Sequence, residues 1–189
     1  WREAEAWPLP GTGYVKYYIH SGGGANTLKG DGLLDPNSPG GEPPDRFTYD
    51  PKNPTLSYES ESGETILDQR FAEAREDVLV YTTPRLREDV EVTGPVKMIL
   101  YAASTARDTD WTAKLVDVHP DGKSFNLCDG IIRARDRKDL GKEALLEPGK
   151  PEQFEIDLWV TINLFKRGHR IRLEVSSSNF PRFNRNPNT

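Results

Sequence analysis

A chain of 189 residues, 35% hydrophobic and 29% charged, is long enough to bury a core without metal or disulfide staples. Its net charge of −5 excludes a general nucleic-acid binder, which needs a basic surface to displace phosphate counterions. The single cysteine, Cys128, excludes an intrachain disulfide and fits the cytoplasm, with a secreted bacterial parent left open; no apolar run approaches the ~18 residues that cross a bilayer, so no membrane contact is expected.

The chain opens on Trp1 and its only methionine is Met98, so we read it as a piece or processed product of a longer polypeptide. The tyrosine-rich residues 14–20 suit a first strand. Residues 35–62 are rich in Pro, Gly, Ser and Asn, the composition of a linker or of a long ordered loop. Phe47, Tyr49 and Leu56 supply apolar anchors and favour the loop, making residues 1–189 a single domain. Residues 68–77 have helical propensity, but Phe71, Ala72 and Ala74 make a weak stripe. Strands are predicted over 78–82, 96–103 and 111–118. Asp121-Gly122 is a turn that pairs 111–118 with 124–127, and Asp129-Gly130 is a bulge or second turn before 131–135. Residues 140–147 allow one or two helical turns before Pro148-Gly149. In 154–162, Phe154, Ile156, Leu158, Val160 and Ile162 are expected on the inner face, with Trp159 breaking the alternation. Lys166-Arg167-Gly168 turns the chain into 169–177, where Ile171, Leu173 and Val175 point inward; the two strands either form a hairpin or cross between sheets. Roughly eight strands with little helix imply an all-β sandwich or jelly roll of antiparallel sheets.

Chemistry is sparse. No Gly-x-Ser-x-Gly elbow is present, and Ser21 before Gly22-Gly23-Gly24 reads as a glycine-rich turn, so no catalytic residue is assigned. His20, His119 and His169 lie at strand ends or turns without the close spacing of a zinc site, and no cofactor or metal is expected. Asp31, Asp108, Asp110 and Asp129 could supply oxygen ligands to calcium, but turn capping is the preferred role. Trp111 and Trp159 lie in apolar strands and are expected in the core, while Trp1 and Trp7 precede the first strand. The polar, aromatic and basic tail from Ser176 to Thr189 has no strand or helix period. It reads as a surface-binding loop or a frayed end, with Arg182 and Arg185 able to fork onto carboxylates or carbonyls.

Several motifs follow one another in register: Asp68-Gln69-Arg70, Asp77 to Thr82, Val92-Thr93-Gly94-Pro95-Val96, Asp108 to Leu115, Val118-His119-Pro120-Asp121-Gly122, Gly168 to Arg172, and the Ser176–Thr189 tail. Together with Trp7-Pro8-Leu9-Pro10, this order resembles the C-terminal domain of the cocaine-esterase and X-Pro dipeptidyl-peptidase-like serine hydrolases, over nearly the whole chain. The resemblance implies a jelly-roll β-sandwich similar to galactose-binding folds. It implies as partners a catalytic α/β-hydrolase domain and a helical cap domain in the same parent chain, with a Ser-Asp-His triad that hydrolyses esters or amides. No triad residue falls in the matching segments. Asn179, Phe180, Arg182, Phe183, Arg185 and Asn186, with the 35–62 loop, are the expected interdomain contacts. Cut from such a parent, the chain is expected to self-associate and to carry an apolar surface patch. Two other readings remain: a carbohydrate- or ligand-binding jelly-roll module using exposed aromatics, and a free-standing interaction protein.

Overall fold

The computed structural model describes residues 5–57, 68–139 and 141–188. Among them the chain forms β1 (Tyr18–His20), β2 (Leu33–Asp35), α1 (Arg70–Glu73), β3 (Leu79–Thr82), β4 (Val90–Ala102), β5 (Asp110–Val118), β6 (Ser124–Arg133), β7 (Glu152–Phe165) and β8 (Arg170–Ser176). Among the described residues, helix is confined to the single turn of α1 and a 3-10 turn at Ala134–Asp136. Residues 141–147 are not helical, and residue 140 lies outside the described residues. Among the described residues no helix is long and apolar enough to cross a membrane.

Six strands make one sheet in the order β1-β2-β3-β8-β5-β6, and β4 pairs with β7 in a second sheet. The result is the expected all-β sandwich. Every pairing is antiparallel except β2 with β3, which meet in parallel at Leu33 and Thr82. The β5–β6 hairpin turns at Asp121-Gly122, where Gly122 takes φ 90°, a conformation open to a residue without Cβ. Between β7 and β8, Gly168 takes φ 86° and the chain crosses from one sheet to the other.

The core lies between the sheets. Trp111, Ala113 and Leu115 of β5 meet Phe154, Ile156 and Leu158 of β7, with Tyr81, Met98, Leu100 and Phe165 around them. Burying a side chain the size of Phe or Leu contributes ~1.5–3 kcal/mol. Trp111 sits edge-on to Phe47 at 6.1 Å and tilted to Phe154 at 6.0 Å, so one of the loop's anchors enters the core. All nine residues of β5 are buried. Its outward residues Thr112 and Lys114 bond to Ser176 and Gln69 rather than to solvent.

Two bulges set which side chains face the core. In β6, Leu115 opposes Cys128 and Val116 opposes Asn126, leaving Leu127 as the extra residue. The bulge therefore precedes Asp129-Gly130, and β6 runs unbroken through them. In β7, Pro95 opposes Val160 and Lys97 opposes Asp157, so Leu158 and Trp159 together face Val96. Trp159 takes φ 68°, and the alternation changes phase there. Phe154, Ile156 and Leu158 point inward before the bulge, and Thr161 and Phe165 after it. The sequence expectation that Val160 and Ile162 face the core, and that Trp159 packs in it, is thereby corrected: all three are exposed.

Candidate functional site

The β7 bulge turns a row of large apolar side chains outward. Trp159 is 72% exposed and Ile162 76%, with Val160 and Leu164 also open. On the neighbouring strand Tyr101, 71% exposed, and Ile99 belong to the same outer face. Charged residues divide this face in its middle, where Lys97 pairs with Glu155 at 3.2 Å beside exposed Asp157, and Glu91 lies opposite Leu164. A soluble surface rarely gathers so many large apolar groups on one sheet face without a partner. The two-stranded layer also covers the six-stranded one incompletely. A cleft of about 2420 Å³ opens between residues 9–21, the 39–49 loop and β4. That exceeds the few hundred to ~1,000 Å³ of a small-molecule pocket. Tyr14 and Val15, expected within a first strand, run along this opening unpaired and exposed; β1 begins only at Tyr18.

The C-terminal segment and the 35–62 loop, both singled out by composition, pack on each other. The Phe180 amide donates to the Thr55 carbonyl at 2.9 Å and the Ser57 amide to the Phe180 carbonyl at 2.7 Å. The Thr55 amide donates to Ser178 Oγ, the Tyr49 hydroxyl to the Asn186 carbonyl, and Arg185 to the Pro51 carbonyl. Residues 58–62 of the loop lie outside the described residues.

The six residues expected to contact a partner divide by burial. Asn179 and Asn186 are buried within this chain: Asn179 Nδ2 donates to Asp129 at 3.1 Å, and Asn186 Nδ2 donates to Asp108 at 3.0 Å and Asp110 at 2.9 Å. Phe180, Arg182 and Arg185 are exposed, and Phe183 half-buried. Arg182 pairs with Asp129 at 2.7 Å, and its guanidinium lies 5.5 Å from the Phe183 ring centre. Asp110 also receives Arg133, and Asp108 receives the Arg135 amide. Asp31 accepts the Gly22 and Gly24 amides, so the glycine-rich turn closes on its own carboxylate. Asp31 and Asp108 thus accept backbone amides as capping aspartates do, whereas Asp110 and Asp129 are met by the side chains of Arg133, Asn186, Asn179 and Arg182. Trp7 is half-exposed and Trp1 lies outside the described residues.

Two ionic clusters were not read from sequence. On the covered face of the large sheet, buried Glu73 pairs with Arg172 at 2.7 Å and accepts the Ser124 hydroxyl. Beside it Lys114 donates to Gln69 at 2.7 Å and lies 3.9 Å from Glu174. Burial pushes the Glu174 carboxyl up to about 8 against the pull of Lys114 and Arg172. At the sheet's end, His169 Nδ1 lies 2.9 Å from Asp117, and the His119 and His169 rings stand 4.3 Å apart. A separation of 50 positions in sequence hid this pair from spacing arguments; the signal available was that both histidines border strands. His20, by contrast, lies apart, against Glu42 at 2.7 Å and the Asn37 carbonyl at 3.0 Å. The buried Cys128 thiol is pushed up to about 12 by burial and is inert.

The comparisons with known proteins agree with this architecture. Cocaine esterase of Rhodococcus sp. (strain MB1 Bresler) is 46% identical over 198 residues, which cover 100% of this chain and 34% of that protein. An aminopeptidase from a marine sediment Thaumarchaeota archaeon superposes with a TM-score of 0.82 at 31% identity, covering 100% of this chain and 33% of that one. An α-amino acid ester hydrolase superposes with a TM-score of 0.76 at 28% identity, over 92% of this chain and 30% of that one. The chain thus spans about a third of the length of each. The family model described as the X-Pro dipeptidyl-peptidase C-terminal non-catalytic domain matches residues 1–189, and the chain belongs to that family.

Proposed function

We propose that this chain is the supporting β-sandwich of a serine hydrolase that cleaves ester or amide bonds, a single domain docked on the catalytic and cap domains of its parent. The observation that carries this reading is the outer face of β7, where Trp159, Val160, Ile162 and Leu164 lie exposed together, with Tyr101 and Ile99 exposed further along β4. The occupant is the rest of the parent polypeptide, because the relatives named above carry about two-thirds of their length outside the matching segment. Phe180, Arg182, Phe183 and Arg185 form a second contact surface, on the other side of the sandwich where Asp129 lies, with the arginine N–H groups not used by Asp129 and Pro51 available to partner carbonyls or carboxylates. In the assembled hydrolase the serine, its histidine base and the oxyanion donors come from the partner domain. The sandwich contributes rigidity and shields apolar surface from water. The isolated chain pairs with copies of itself through the same face. We place the parent in the cytoplasm on the strength of the lone reduced cysteine.

The exposure of Trp159 and Tyr101 gives the sugar-binding reading its one specific support. A sugar platform sets aromatic faces among hydrogen-bonding groups, whereas here the neighbours are Val160, Ile162 and Leu164, which suit an apolar protein surface better. Adding the purified chain in trans to the parent's catalytic segment tests the choice. Restored stability of that segment, lost with Ile162→Glu, supports docking. Saturable binding of the chain to a glycan, lost with Trp159→Ala, would overturn it.

A further inference from the structure

We propose that Asp117, His119 and His169 form a binding site for a divalent first-row metal ion of the zinc type. The three come from adjacent strands of one sheet. Asp117 and His119 are two residues apart along the end of β5, so both side chains leave the same face. His169 precedes β8, one step beyond the registered pair Val118–Arg170, which sets it beside His119. The spacing of the donors suits a small ion. Asp117 Oδ1 lies 2.9 Å from His169 Nδ1, Asp117 Oδ2 lies 3.8 Å from His119 Nε2, and one donor atom from each residue falls within 4.8 Å of the others. A tetrahedral zinc site with bonds of ~2.0–2.1 Å holds its ligand atoms about 3.4 Å apart. Small rotations of the rings bring the set to that value.

The surroundings favour a cation. Unlike Glu73, Asp108, Asp110 and Asp129, each of which pairs with an arginine, Asp117 has, among the described residues, only the two histidines as ionic partners. The neighbouring cations are occupied elsewhere: Lys123 pairs with Asp121, Lys166 with Asp89, and Arg170 donates to the Thr83 carbonyl. Two neutral imidazoles and one carboxylate carry a single negative charge, which a divalent ion overcompensates by one. Imidazole and carboxylate together are ligands of zinc and its first-row neighbours rather than of calcium. The Phe125 ring, 4.7 Å from His119 and edge-on to it, shields one side of the cluster. His119 keeps partial access to solvent, leaving the fourth position to water. An ion here ties the end of β5 to the start of β8 and acts as a structural cross-link at that end of the large sheet.

The test is titration of the 189-residue chain with zinc chloride by calorimetry and with cobalt(II) by visible absorption. One ion per chain is expected, with tetrahedral d–d bands for cobalt, a rise in melting temperature with zinc, and affinity that falls on acidification as protons compete for the imidazoles. His119→Ala and His169→Ala should each weaken binding ~10-fold or more, whereas His20→Ala, on a separate histidine, should leave it unchanged. His119→Ala carries the test if His169→Ala fails to fold by circular dichroism, because the His119 ring is the more exposed of the two. No binding at millimolar zinc, binding that survives loss of His119, or an equal loss in the His20 variant would each overturn the assignment.

Discussion

Trp159 holds a backbone conformation that favours glycine or asparagine, with φ at 68° and most of its side chain in water. Neither its backbone nor its burial stabilises the sandwich, so Trp159→Asn is expected to keep or raise stability, by up to about 1 kcal/mol. Urea denaturation of the two proteins measures this, and a large loss would mean that the indole packs on its own chain after all. Asn186 is the opposite kind of residue. Its amide reaches two buried aspartates, Asp108 and Asp110, and Asn186→Ala leaves both short of a donor, at a cost of about 1–3 kcal/mol in the same measurement. His20 adds a pH-dependent tie. The hydrogen bond to Glu42, first among its influences, raises the imidazole above its ordinary value of 6.5. The folded chain then holds that proton more tightly than the unfolded one. The tie is fully present below the ordinary value and is lost as pH rises through the raised one. The His20 ring proton in an NMR titration should therefore show a midpoint above 6.5, and Glu42→Gln should lower it.

Among the elements, β6 and β7 approach so closely that side-chain size decides the fit. A Cβ on Gly130 would stand 2.0 Å from the Asp157 carbonyl oxygen, a contact relieved only by moving backbone. Gly130→Ala is expected to cost at least ~1–3 kcal/mol, read as a lower urea midpoint at unchanged slope. Sequence patterning located β3, β5 and β8 to within a residue or two: Ile171, Leu173 and Val175 alternate in β8, β3 is a short apolar run, and β5 alternates as far as Leu115. It missed β2, whose three residues are too few to show a period. It began β4 too late, since Gly94-Pro95 reads as a break; the strand tolerates Pro95 at a sheet edge beside the bulge. The outer face of β7 was hidden for a related reason. A strict period of two carried Val160 and Ile162 inward, and the break at Trp159, visible as a mismatched residue, was the only sign that the phase changes. The histidine cluster depends on the pairing of β5 with β8, which no local pattern reveals.

At the scale of the whole molecule, the six-stranded sheet is packed on both sides, and its second side is ionic. Glu73, Lys114, Arg172 and Glu174 are all buried there, in a layer that joins α1 to β5 and β8. Mutual pairing satisfies most of this charge, but Glu174 is the group for which burial outweighs attraction. Its folded value of about 8 lies above the ordinary 4.5, so the native chain binds a proton that the unfolded chain releases. Native stability from this group therefore falls as pH rises from 4.5 to about 8, and the full penalty stands above that window. Glu174→Gln removes the titration while keeping the shape. Its stability relative to the parent sequence should rise steadily across that range, as measured by urea midpoints at successive pH values. A difference that stays flat with pH would mean that Lys114 and Arg172 neutralise the carboxylate fully, and that the covered face is a balanced ion network rather than one strained by an excess of buried acid.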